Sequence, residues 1–439
     1  MKIPARILFP VTFALLCAAA LLAFLWWQLT AASHSALRRT VDPGLQTEHL
    51  TGSGGFQTQL APADSRDLSL LHLREGDLYA VRGEWAEAAA SYEQAVALDG
   101  GLPALRKLAL AELQRRDMGA LQETIRKLKA AGARPEDVAL IENIVLLRTG
   151  ELSTARKRLD GAADSPQKHY ALALLNIIEG NHTVAQQELS MVTTGWEPAL
   201  RSNARTLIGA YEEFALFPES SDLHLITLLS RALAQVQECE LALPLLAQVT
   251  KEKEDYRDAW IVQGYCELTT ERPQQALVSL ERAYNLNPEK PEIQYFLARA
   301  HAALDQHDNA ITFLEYALQN GFTPKSEIRR LIASEALKKG DAAQALGQYK
   351  AIVEEPDAPF EAFDGAVSTA IALKRNDEAI ALATLATQRM PENARSFDLL
   401  GWAYVEAGKS EEARTAITKA LELDPYLLSA KERLEKLPQ

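Results

Sequence analysis

The chain has 439 residues, enough for two or three ordinary domains or for one elongated array, and 47% of them are hydrophobic. Ala and Leu dominate that share, runs of Val and Ile are few, and there are only 19 prolines, a composition that favours helices over sheets. A formal charge of -13 sets a field that repels phosphates over most of the surface, which argues against nucleic acid as a partner.

The first predicted element is apolar. Ile7 to Leu29 carries no charge and is flanked by Lys2 and Arg6 on one side and by His34, Arg38 and Arg39 on the other. At about 1.5 Å per residue such a helix crosses a hydrocarbon core of roughly 30 Å with some tilt, and Trp26 and Trp27 stand where interfacial aromatics belong. Residues 1–30 are expected to form an uncleaved transmembrane signal anchor. The small residues of TAASHSA leave a cleaved signal peptide as the alternative, whereas Leu16 before Cys17 argues against a lipid anchor. Positive charge nearly balances across the segment; the expected orientation leaves the N-terminus inside and the remainder in the periplasm, on the inner (cytoplasmic) membrane. Residues 31–66, with DPG and TGSGG and no sustained periodicity, are expected to form a flexible linker.

From residue 67 amphipathic helices follow in pairs. A small residue recurs early in each second helix: Ala88, Ala120, Ala155, Ala185, Ala242, Ala276, Ala310, Ala345, Ala379 and Ala413. From Ala242 onward the intervals are 34, 34, 35, 34 and 34 residues. Gly264 lies one helix before Ala276 and Leu280, with Trp260, Ala283 and Pro288 around them; Gly401 stands likewise to Ala413 and Ile417, with Leu400, Tyr404, Ala420 and Pro425. The first unit offers Gly76, Tyr79, Ala88, Tyr92 and Ala95. This period and these positions resemble the tetratricopeptide repeat (TPR) family over about 67–439, in a membrane-anchored bacterial-type arrangement. The resemblance implies an all-α superhelical solenoid of about ten helix-turn-helix repeats, in which stacking supplies the core that a single helix pair cannot build. One interval, from Ala185 to Ala242, is too long, and the surplus is expected to be a helix over 198–217 that divides the array in two, with a degenerate repeat that lacks a visible marker as the equal alternative. The expected divisions are an N-terminal array at 67–197, an extra helix and break at 198–222, and a C-terminal array at 223–439. That last array closes with a capping helix from Pro425, with Leu427, Leu428, Leu434 and Leu437 inward.

No motif for catalysis stands out. The GKS at 408–410 has Ala403 where a phosphate loop needs its first glycine, and its frame makes it a turn between helices. The histidines show no ligand spacing, and His301 and His307, six apart, read as surface or turn residues. The reading is of a non-enzyme with neither cofactor nor metal. Cys239 and Cys266 are either two free buried thiols or a disulfide between neighbouring helices. In the resembling family the first helices line a concave groove that binds peptides; the frame places Tyr265, Tyr295, Arg299, Arg330, Lys338, Asp364, Asp398 and Trp402 there, unless these are packing or solvated residues. The expected function is a scaffold for protein–protein interactions in assembly of a cell-envelope complex, such as cytochrome maturation, secretion or pilus assembly. The alternatives are an accessory of polysaccharide export or modification, with glycan in the groove, and a cytoplasm-facing quality-control adaptor.

Overall fold

The computed structural model describes residues 65–82 and 84–438. The expected anchor over 1–30 and all but the end of the expected linker lie outside the described residues. Among the described residues no helix is long and apolar enough to cross a membrane.

Twenty-two α-helices and no strands occupy the described residues. Four pairs come first: α1 (Ser65–Arg82) with α2 (Trp85–Ala97), α3 (Gly101–Gln114) with α4 (Met118–Ala130), α5 (Pro135–Arg148) with α6 (Leu152–Asp160), and α7 (Pro166–Ile178) with α8 (His182–Thr193). An unpaired helix α9 (Pro198–Ala215) follows. Six more pairs continue: α10 (Asp222–Gln235) with α11 (Cys239–Glu252), α12 (Arg257–Thr269) with α13 (Pro273–Leu286), α14 (Pro291–Ala302) with α15 (His307–Gln319), α16 (Lys325–Lys339) with α17 (Ala342–Val353), α18 (Phe360–Ala372) with α19 (Asn376–Arg389), and α20 (Ala394–Glu406) with α21 (Ser410–Leu423). The short α22 (Leu428–Lys436) ends the array. The solenoid is thus built of ten helix pairs.

One turn makes every pair. The residue that opens each second helix donates its backbone N–H to the carbonyl five residues back, from Glu84 to Tyr79 through to Lys409 to Tyr404, at 2.7–3.0 Å in all ten. This is the Schellman closure of the first helix, and it requires a left-handed residue just before the bond. That residue is Arg116, Gly150, Gly180, Gln237, Glu271, Asp305, Gly340, Lys374 or Gly408, at φ between 56° and 87°. Gly408 of the GKS triplet therefore occupies a place that five polar side chains also fill.

Counting from the opening residue fixes the packing. Four residues on stand Ala88, Ala155, Ala185, Ala242, Ala276, Ala310, Ala345, Ala379 and Ala413, each fully buried. In the second pair this place belongs to Leu121, also buried, and the expected Ala120 is one residue out of register and half-exposed. Eight residues on, a large side chain meets a small one of the first helix. A Cβ added to Gly264 would lie 2.4 Å from Leu280 Cγ, and one added to Gly401 would lie 2.4 Å from Ile417 Cγ1. The glycines weaken their helices by about 1 kcal/mol each, and the close approach is what requires them. His301, expected at the surface or in a turn, has the carbonyl that closes the turn before α15 but a buried side chain, stacked on Phe313 at 5.3 Å and hydrogen-bonded to Gln306 at 2.7 Å. In the terminal helix Ala430 rather than Leu428 faces inward; Leu428 is 71% exposed.

The helix α9 changes the stacking. One apolar cluster runs from Leu105 to Cys266 and includes Leu200, Ala204 and Leu207 of α9. The turn before α11 also touches pairs two and three, which are not its neighbours along the array. Arg148, with a side chain only 2% exposed, donates to the Glu238 carboxylate at 3.0 Å and to the carbonyls of Leu113 and Gln237 at 3.1 Å. Arg116 pairs with Glu240 beside it.

Candidate functional site

The first helices α10, α12 and α14 lie side by side, as do α18 and α20, so residues at the same distance before the opening residue of the following helix form rows along one face. Fourteen, eleven, ten and seven residues before Glu238 are His224, Thr227, Leu228 and Arg231; before Arg272 they are Asp258, Ile261, Val262 and Tyr265. All eight line one cleft of 450 Å³, which α14 completes with Glu292 and Phe296 of the same rows. Its floor is apolar, from Leu228, Ile261, Val262 and Phe296, with Tyr265 and Phe296 in contact at 5.4 Å between ring centroids. Its rim is polar. His224 Nδ1 and Tyr256 Oη are hydrogen-bonded at 2.7 Å, Arg231 is paired with Glu213, and Lys290 lies 3.7 Å from Glu292. Burial pushes the Tyr256 hydroxyl above its ordinary pKa, so it enters the site as a neutral hydrogen-bonding group.

Of the residues expected from sequence, Tyr265 is in this cleft. Tyr295 and Arg299 follow on α14: Tyr295 stacks on Phe322 at 4.6 Å, and the Arg299 guanidinium lies 5.9 Å from the Tyr295 ring centroid. Arg330 and Lys338 are exposed on α16, where Arg330 holds Glu327 at 2.8 Å and Lys338 holds the buried Glu335 at 2.8 Å. Asp364 is exposed on α18, and burial of its surroundings raises its carboxyl above the usual range, with Arg395 and Arg433 opposing and Glu361 and Asp398 adding to the rise. The last two residues are covered from within the chain. Asp398 is buried, accepts from Ser429 Oγ at 2.6 Å and pairs with Arg433, whose guanidinium lies 5.2 Å from the Trp402 ring centroid. The capping helix α22 thus occupies the final step of the row.

The cleft floor is apolar and begins before residue 257, so aromatic and charged side chains from that residue onward do not reveal it in the sequence. The rows themselves held the signal: carried back one pair, they give His224, Leu228 and Arg231. Cys239 and Cys266 lie against each other with Cα atoms 4.9 Å apart, within the range that a disulfide takes. Among the described residues no group of three or more His, Cys, Asp or Glu is placed to hold a metal ion.

No curated protein matches the sequence. Among solved structures, YrrB, described as a TPR protein with an unusual peptide-binding site, is similar over 43% of this chain and 97% of its own, at 18% identity and a TM-score of 0.36. PilW, a type IV pilus biogenesis factor, is similar over 49% of this chain and 99% of its own, at 16% identity and a TM-score of 0.36. The yeast Tom70 is similar over 84% of this chain and 94% of its own, at 12% identity and a TM-score of 0.30. Family profiles described as tetratricopeptide repeat match residues 227–284, 267–334 and 394–426. Residues 227–334 and 394–426, which include α12, α14 and most of α10, therefore carry tetratricopeptide repeats.

Proposed function

We propose that this chain is a membrane-anchored, non-enzymatic scaffold whose groove binds segments of partner proteins during assembly of a cell-envelope complex. The observation that carries this reading is the cleft of 450 Å³ built from the same rows of α10, α12 and α14. A volume of that order takes one or two large side chains, and the open rows beyond it extend the contact to a longer segment. The apolar floor with a polar rim is the anatomy of a protein interface, in which a few buried anchors carry most of the energy. In this reading residues 1–30 fix the protein to the inner membrane, and the linker over 31–66 keeps the groove near it on the periplasmic side, which raises the effective concentration of membrane partners.

Two measurements test the parts separately. Alkaline phosphatase fused after residue 66 of the chain gives an active enzyme if the array is periplasmic; inactivity with a fluorescent cytoplasmic fusion contradicts the localisation. Affinity capture with the full chain after in-cell crosslinking is expected to recover protein subunits, and to lose them on Val262→Glu. Recovery of glycan alone overturns the protein-scaffold reading.

A further inference from the structure

The groove is not chemically uniform from one pair to the next. At α10 and α12 its floor is apolar. At α14 it offers Arg299, which is exposed and, among the described residues, makes neither an ion pair nor a hydrogen bond; the Tyr295 ring, itself backed by Phe322, is what flanks its guanidinium. Arg330 of the next step is also exposed, though Glu327 holds it. At α18 the sign reverses. Asp398 is engaged by Ser429 and Arg433, and Glu361 lies 3.8 Å from Arg395, so Asp364 is the carboxylate left without a partner among the described residues. Its raised carboxyl pKa, caused first by burial of its surroundings, marks a charge that gains from an incoming cation.

We infer that the segment bound in the groove carries, in order along the solenoid, a large apolar side chain for the cleft, an acidic residue for Arg299 and a basic residue for Asp364. This rests on the groove being the binding surface, as proposed above. Packed helices lie about 10 Å apart, and an extended segment rises about 3.3 Å per residue, so a step between α12 and α14 corresponds to roughly three residues, and the steps from α14 to α16 and α18, which pack less closely, to at least that many. The acid then follows the apolar anchor by about three residues, and the base lies at least about six further on. The occupant is a flexible protein segment of alternating charge, and a uniformly acidic or uniformly basic tail would meet a like charge at one of the two positions.

The test is selection of random peptides of about 16 residues, displayed on phage, against the full chain in detergent micelles. Wild-type selections are expected to share the apolar, acidic, basic order, and a selected peptide should bind about tenfold more weakly to Arg299→Glu. Selections repeated on Arg299→Glu should replace the acid with Lys or Arg, and those on Asp364→Lys should replace the base with Asp or Glu. A switch of this kind cannot arise from misfolding. If peptides bind, are lost on Val262→Glu, and show no charge preference that follows either reversal, the inference fails while the groove reading stands. If peptides bind equally to Val262→Glu, or none is enriched, the groove reading fails and takes the inference with it.

Discussion

Glu112 shows how a single carboxyl sets a pH dependence. It is buried near the end of α3, accepts from Thr124 Oγ1 at 2.9 Å through Oε1, and its Oε2 has no partner. Desolvation raises its pKa from 4.5 to about 6, against the lowering effect of the Thr124 hydrogen bond. The folded state thus favours the protonated acid: its contribution is intact below the unfolded pKa and is lost as pH rises through 6. Glu112→Gln keeps the acceptor and removes the charge, so thermal melts should show stabilisation of about 2 kcal/mol at pH 7.5 and almost none at pH 4. An equal effect at both pH values would contradict the burial account. The glycines make a second residue-scale contrast. Gly401→Ala forces its Cβ into Ile417 and should cost about 1–3 kcal/mol, whereas Gly408→Ala meets open space and should cost about 1 kcal/mol through its φ of 73° alone. Urea denaturation of the two variants measures both. Gly401 was legible from sequence because its partner Ile417 lies in the same repeat; the slip at Ala120 was not, since a leucine fills the alanine's place.

At the level of elements, the exposed face of α1 and the buried turn before α11 behave oppositely. Thirteen residues before the opening of the second helix stand Leu71 in α1 and Ile293 and Ile328 in later pairs; Leu71 is 58% exposed, whereas both isoleucines are fully buried against the preceding pair. Ile293→Ala should cost about 2–5 kcal/mol and Leu71→Ala less than about 0.5 kcal/mol by denaturant titration. Arg148 joins elements that are distant in sequence. Arg148→Met leaves the Glu238 carboxylate buried without its cation and should cost about 3–5 kcal/mol, most of it recovered by adding Glu238→Leu, where the buried charge itself is gone. The period of the helix pairs was readable because each pair repeats one local turn. The Arg148 contact was not, because it spans 90 residues and joins two pairs that are not neighbours along the array. The rows of the groove were half legible: their frame followed from the period, but charge and aromaticity were the wrong filter for an apolar floor made of Leu228, Ile261 and Val262.

Across the whole molecule, a solenoid gains stability from neighbour contacts and offers a long inner surface whose side chains are not all needed for packing. That surface is capped at one end by α22 over Asp398 and Trp402, is charged in the middle, and carries its apolar cleft at α10–α14. In the proposed function partners are held on this inner face. This is tested most directly by placing the photocrosslinker benzoylphenylalanine at Ile261, in the cleft, or at Val278 on α13, which lies outside the cleft and is 59% exposed, in the full chain in its host cells. Discrete crosslinked proteins are expected from Ile261 and none in common from Val278. The same partners captured from Val278 and none from Ile261 would contradict it.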